Sequence, residues 1–182
     1  MSTEIYLRGP AATNYGLFTQ TANSPVITGT TAELTLIDGG LGSLTVPANG
    51  FSVGDSFRGD FGGLMSSKNN DTITIRIKSG SVILADSGPQ TMTAHTNAIW
   101  SLSMNFTIRN IGPAGAASIV TFANFLTVKQ SNASTEGFGI NAVNNTTFDT
   151  TIPNTLDVTA QFSSASGLNA IYSDIFILNK IY

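Results

Sequence analysis

The chain has no cysteine among its 182 residues, which excludes disulfides, thiolate nucleophiles and thiolate-ligated metal sites. His95 is the only histidine. A Ser-His-Asp triad would have to be built around it, and no Gly-x-Ser-x-Gly elbow accompanies it. Charged residues make up 10% of the chain, against about 25% in ordinary soluble domains. Arg58, Arg76, Lys78, Arg109 and Lys129 are scattered, with no basic stripe to displace counterions from a phosphate backbone, so no nucleic-acid partner is expected. Apolar runs extend only a few residues, far short of a bilayer span, and no Lys/Arg cluster flanks an apolar helix. No membrane partner is expected either. Met1-Ser2-Thr3-Glu4-Ile5 lacks the positive region and apolar core of a secretory leader, which points to synthesis in the cytoplasm.

What is present is apolar and neutral-polar. Hydrophobic residues reach 41%, enough for one sizeable core, and Thr, Ser, Asn and Gly fill the place of the missing charges. Such side chains suit exposed strand faces and surfaces that pack against other copies, because they lose less rotamer entropy and hydration than Lys or Glu. From Thr31 onward the pattern has period two. Ile73, Ile75 and Ile77 alternate with Thr74, Arg76 and Lys78; Leu102, Met104, Phe106 and Ile108 alternate with Ser103, Asn105, Thr107 and Arg109; Leu156, Val158, Ala160 and Phe162 alternate with Asp157, Thr159 and Gln161. Turn residues separate the runs at Asp38-Gly39-Gly40, Ala48-Asn49-Gly50, Lys68-Asn69-Asn70-Asp71, Ser79-Gly80, Ser87-Gly88-Pro89 and Gly112-Pro113-Ala114-Gly115. The expectation is an all-β domain, a two-sheet antiparallel β-sandwich of jelly-roll type over residues 31–182.

Two segments depart from that pattern. Residues 1–30 have no sustained period, which predicts an extended N-terminal arm that docks elsewhere through Tyr6, Tyr15 and Phe18. Near the other end, Ile171-Tyr172-Ser173-Asp174-Ile175-Phe176-Ile177-Leu178 turns apolar on both faces. A strand apolar on both sides is covered on both sides. Sister subunits would supply that cover through Tyr172, Ile175, Phe176, Leu178 and Tyr182; a loop of the same chain is the alternative.

The search for chemistry returns little. His95 sits in Thr93-Ala94-His95-Thr96-Asn97 and reads as a surface loop residue. Asn69, Asn70 and Asp71, like Asp149 and Asp157, read as turn residues, since neither group has the spaced acidic ligands of a calcium loop. No acidic pair is set beside aromatic platforms as a glycosidase requires. Arg58-Gly59-Asp60 is the tripeptide integrins recognise on loops, but its neighbours Phe57 and Phe61 put it inside a strand. Sequons at Asn70, Asn105, Asn132, Asn144 and Asn145 read as chance products of an Asn- and Thr-rich composition. No catalytic residue, cofactor site or metal site is expected, and the chain does not read as an enzyme.

The stretch Ser43-Leu44-Thr45-Val46-Pro47-Ala48-Asn49-Gly50-Phe51-Ser52-Val53-Gly54-Asp55-Ser56-Phe57 is distinctive. So are Ile83-Leu84-Ala85-Asp86-Ser87-Gly88, Asn144-Asn145-Thr146-Thr147-Phe148-Asp149-Thr150-Thr151, Leu156 to Phe162, and Tyr172-Ser173-Asp174-Ile175-Phe176. Over roughly residues 30–182 the chain resembles a family of viral proteins from tailed phages and large DNA viruses. The resemblance implies a virion component with a jelly roll similar to the tumour-necrosis-factor-like trimers. In those trimers a terminal strand lies near the threefold axis, a setting that suits Ile175–Leu178. It implies a homotrimer in the virion, decorating the capsid or forming a head-fibre or tail-fibre knob, whose arm holds other virion proteins. The alternative is a non-catalytic carbohydrate-binding module for host attachment, with Trp100, Tyr15 or Tyr172 stacked on a host glycan.

Overall fold

In the computed structural model, which describes residues 15–129 and 133–182, the period-two segments become fourteen strands. They are β1 (Tyr15–Gln20), β2 (Ile27–Thr28), β3 (Leu34–Thr35), β4 (Gly40–Gly42), β5 (Thr45–Val46), β6 (Ser56–Ser67) and β7 (Thr72–Ser79). There follow β8 (Val82–Asp86), β9 (Gln90–Thr91), β10 (His95–Asn110), β11 (Ser118–Val128), β12 (Thr135–Asn144), β13 (Asn154–Phe162) and β14 (Ala170–Lys180). All pairings are antiparallel. The larger sheet runs β12-β11-β10-β6-β14-β1-β4 with β2 also on β14; the smaller runs β3-β13-β7-β8, with β5 on β13 and β9 on β7. The molecule is a two-sheet antiparallel β-sandwich.

Alternation explains the core. Ile73, Ile75 and Ile77 of β7 and Val158, Ala160 and Phe162 of β13 face Leu102, Met104 and Ile108 of β10 across the sandwich, all fully buried or nearly so. The β7–β8 hairpin pairs Ser79 with Val82 across a two-residue turn, with Gly80 at φ 56°. Asn49, Asn70, Gly88, Gly112 and Gly115 also take positive φ, at the turns expected to need it.

The expected separate arm over residues 1–30 needs correction from Tyr15 onward. β1 pairs with the last strand through Gly16–Asn179 and Phe18–Leu178, and β2 pairs through Ile27–Ile171. Phe18, expected to dock on another protein, is buried in this chain's own core against the Phe176 ring, with centroids 5.6 Å apart. The backbone of Tyr15 pairs with Lys180. Tyr6 lies outside the described residues.

Between β1 and β2 the chain is tied to β14 by a buried polar hub. Gln20 Nε2 donates to Ser173 Oγ at 2.9 Å, and Ser173 Oγ donates to the Leu36 carbonyl at 2.6 Å. Ser24 N donates to the Ser173 carbonyl, and Ser173 N to Ser24 Oγ, each at 2.9 Å. Fastened this way, polar residues 20–24 need no apolar period to belong to the fold.

Two predictions follow from this attachment. Ser173→Ala removes the hydroxyl that donates to the buried Leu36 carbonyl and leaves the Gln20 amide only its longer bond to the Ser173 carbonyl, at 3.3 Å, and is expected to cost about 1–3 kcal/mol in urea denaturation. A chain begun at Thr31 loses β1 and β2 and is expected to lose cooperative unfolding followed by circular dichroism; retained cooperativity would contradict the assignment of these strands to the domain.

Candidate functional site

The two outer faces of the sandwich differ in chemistry. On the smaller sheet, side chains pointing out of β7 and β13 form an ionic network. Arg76 Nη1 lies 2.8 Å from Glu33, Arg76 Nε 2.8 Å from Asp86, and Lys78 Nζ 2.9 Å from Glu33. Gln161 and Thr159 add hydrogen bonds at 2.9 and 2.7 Å. Burial alone would raise the Glu33 carboxyl, but the Thr159 hydroxyl with Lys78 and Arg76 outweighs it and holds the group below its ordinary range. A groove of about 380 Å³ beside this network is lined by Thr72, Thr74, Arg76, Asp86, Gln161 and Ser163.

The larger sheet turns a different face to solvent. Strand register puts its outward side chains into cross-strand rows. One row reads Tyr172, Leu64, Ile99, Val128 and Thr135; the next Ile175, Gly62, Ser101, Leu126 and Gly137. A third reads Ile177, Asp60, Ser103, Asn124 and Gly139, and a fourth Asn179, Arg58, Asn105, Phe122 and Asn141. Ile99, Phe122, Val143 and Ile175 are 55%, 50%, 51% and 48% exposed, and Leu126, Val128 and Ile177 are also open. Glycines lower the relief: a Cβ at Gly62 would meet Ile175 Cγ2 at 3.2 Å, and one at Gly137 would meet Leu126 Cδ2 at 2.6 Å. Large apolar side chains therefore lie flat over bare backbone. Arg58 and Asp60 neutralise each other at 2.9 Å, and Ser103 Oγ donates to Asp60 Oδ1 at 3.0 Å.

The residues expected at a subunit contact fall on both sides of this sheet. Phe176 and Leu178 point inward and are buried at 0% and 3% exposure, so their assignment to an intermolecular contact is corrected. The reason is a bulge at Asp174: Ser173 pairs with Gly63 and Ile175 with Gly62, so the inward phase passes from Ile171 and Ser173 to Phe176 and Leu178. Ile175 and the half-buried Tyr172 lie on the outer face, with Ile177 beside them. Tyr182 is 72% exposed at the chain end, its carbonyl accepting from Ser56 N at 3.0 Å. Sequence reasoning missed Ile99, Phe122, Leu126 and Val143. Their signal was an apolar residue at the outward phase of an otherwise polar alternation.

Other singled-out residues find structural work. His95 is not a loop residue; it heads β10, its Nδ1 lies 2.9 Å from the Thr93 carbonyl, and burial holds its pKa below the usual value. Trp100 is buried and donates from Nε1 to the Tyr172 carbonyl at 3.0 Å, which closes it to a sugar ring. The Arg58-Gly59-Asp60 tripeptide lies within β6. Asp71 ties Ser164 and Asn169 across a turn, and Asp149 accepts from Thr151 N at 2.7 Å. Asn144 Oδ1 accepts from the backbone of Thr146, Thr147 and Phe148.

Comparison with protein-family models returned no match, and comparison with curated proteins returned none either.

Glu33 sets a pH dependence. A carboxyl whose folded pKa is depressed contributes stability above its unfolded pKa and loses it as pH falls through the folded value. The urea midpoint is expected to fall as pH drops below the ordinary glutamate value of 4.5. Glu33→Gln is expected to flatten that loss; an unchanged profile would assign it to other carboxylates.

Proposed function

We propose that this chain is a non-catalytic virion structural protein that assembles as a homotrimer through the outer face of the larger sheet. The observation that carries the assembly is the apolar, low-relief face around Ile175, Leu126, Ile99 and Phe122, set against a smaller sheet whose outer face is closed by ion pairs. Contiguous exposed apolar surface on a soluble domain favours a partner. A further copy fits as that partner because charge on the face is sparse: Arg58 and Asp60 satisfy each other, Asp174 stands beside them at the bulge, and in a threefold ring the face meets a different surface of the next copy. Five strands about 4.8 Å apart and roughly eight residues deep offer on the order of 600 Å² per copy, close to the ~800 Å² per partner of standard stable interfaces.

The jelly-roll reading draws on strand order. Eight of the strands read, in chain order, β1, β3, β6, β7, β8, β10, β13 and β14, and they divide into β1-β14-β6-β10 and β3-β13-β7-β8. That is the division two nested Greek keys produce, with β11 and β12 extending one sheet. The virion assignment, with capsid decoration or a fibre knob as its setting and other virion proteins as partners, rests on the resemblance carried by Ser43–Phe57, Ile83–Gly88, Asn144–Thr151, Leu156–Phe162 and Tyr172–Phe176. A second reading, a glycan-binding module for host attachment, draws on the polar groove beside Arg76 and Asp86, whose volume is in the range of small-ligand sites. Saturable binding on a glycan array, lost in Asp86→Ala, would favour it.

Light scattering on the purified chain is expected to give three times the 19.0 kDa chain mass. Burying one Ile or Leu side chain is worth about 1.5–3 kcal/mol. Ile175→Asp and Leu126→Asp are therefore each expected to weaken association more than about tenfold while leaving the circular-dichroism spectrum unchanged. A monomeric wild type would remove the homotrimer, and a folded double variant that stays trimeric would move the contact off this face.

A further inference from the structure

We propose that the cavity between the sheets, beneath the β4–β5 segment, is a binding site for the end of a short, uncharged alkyl chain. The cavity measures about 100 Å³. Its walls include the rings of Phe51, Phe57, Phe106 and Phe148, with Leu84 and Leu156 opposite. The rings form one cluster: Phe57 and Phe106 stack at 5.0 Å, Phe51 meets Phe57 edge-on at 6.0 Å, and Phe148 lies 5.9 Å from Phe51. These side chains keep residual exposure, 8% at Phe51, 7% at Phe106 and 8% at Leu156, whereas Ile73, Ile75 and Phe125 elsewhere in the core have none. The packing is therefore incomplete at this end of the sandwich and nowhere near Ile75 or Phe125.

The polar groups at the rim define what the site accepts. Ser79 Oγ donates to Asn154 Oδ1 at 2.8 Å, and Asn154 Nδ2 donates to the carbonyls of Asp149 and Ile152 at 2.8 and 2.9 Å. Ser43 Oγ donates to the Thr45 carbonyl at 3.1 Å, and the Thr45 and Thr155 hydroxyls bond to each other at 2.8 Å. Each rim group already has a partner in the chain, and none of the lining residues is charged. An occupant gains nothing here by offering a charge or a hydrogen bond. An apolar cavity of about 150 Å³ stays dry and takes benzene or xenon, and a water-sized group fills about 30 Å³. Roughly three or four methylene-sized groups therefore fit.

Entry is past the segment that crosses from one sheet to the other. Ser43 N donates to the Leu17 carbonyl of the larger sheet at 2.7 Å, and Leu156 N of the smaller sheet donates to the Leu44 carbonyl at 2.9 Å. Leu44 and Val46 line the void and are only half-buried, which places its mouth at this crossing. The site lies between the sheets and is independent of the outer face argued for assembly.

The test is a methyl-labelled NMR titration of the full chain with xenon and, separately, with 1-butanol. Saturable shifts are expected at the Leu44, Leu84 and Leu156 methyls, with Ile73 and Ile171 unmoved. Absence of saturable shifts, or shifts spread evenly through the core, would overturn the proposal. Val46→Phe places a ring in the void, and is expected to raise Tm and abolish the shifts; Leu84→Phe does the same from the opposite wall. Shifts that persist in either folded variant would put the probe elsewhere.

Discussion

Six aromatic rings, one from each of six adjacent strands, run side by side across the inner face of the larger sheet. Phe18 meets Phe176, Phe176 stacks on Phe61 at 3.8 Å, Phe61 approaches Trp100, Trp100 stacks on Phe125 at 5.5 Å, and Phe125 stacks on Phe138 at 4.9 Å. The rings come from β1, β14, β6, β10, β11 and β12 in spatial order, so every strand boundary between β1 and β12 is spanned by a contact. Such pairs contribute about 0.5–1.5 kcal/mol each beyond the area they bury. Because each requires one register, a one-residue slip of any strand would turn its ring to solvent. Gly63 makes the centre possible: a Cβ there would sit 2.1 Å from the Tyr172 carbonyl and 3.0 Å from Trp100 Nε1, the two groups that bond across it.

Committing the inner phase to aromatics determines what the outer phase can be. On β14, after the bulge, Phe176 and Leu178 are held inside, which forces Ile175 and Ile177 outside. A monomer would ordinarily place Thr or Lys there, as β7 does with Thr74, Arg76 and Lys78. The smaller sheet satisfies its outward side chains within the chain through Glu33, Arg76, Asp86 and Gln161. The larger sheet leaves its apolar outward side chains exposed, and this asymmetry is what the proposed assembly rests on.

Much of the sandwich was legible in the sequence because it lies in long strands with clean alternation. Ile73 to Ile77, Leu102 to Ile108 and Leu156 to Phe162 occupy the buried phase they were expected to occupy. Residues 15–30 were misread for a physical reason: β2 is two residues long, too short to show a period, and the segment before it is attached by Gln20 and Ser24 to Ser173, about 150 positions away. The last strand was half legible. Its two apolar faces were evident, but the bulge at Asp174, which decides that Phe176 belongs to the core and Ile175 to the surface, has no signature in an unbroken run such as Tyr172-Ser173-Asp174-Ile175. The outer patch was hidden differently, since Ile99 and Leu126, and Phe122 and Val143, become neighbours only through strand register.

Three of the five stretches on which the viral resemblance was read meet at one end of the sandwich. Ser43–Phe57 and Asn144–Thr151 are separated by almost ninety residues, yet Asn49 N donates to the Thr150 carbonyl at 2.8 Å and the Phe51 ring lies against Phe148. Asp55, in the first stretch, accepts from Ser52 N at 3.0 Å and pairs with Lys180 Nζ at 2.6 Å, joining the same end to the last strand. Asn144 fastens the turn of the second stretch and donates to the Ile83 carbonyl at 2.9 Å, which brings in a third. What these motifs encode is therefore closure: polar side chains that pin loops over the open end of two sheets, and phenylalanines that wall the space beneath. A resemblance built on such residues carries a way of capping the sandwich and leaves its outer faces free to differ. The assembly proposed for the larger sheet therefore rests on exposure and register, not on the motifs.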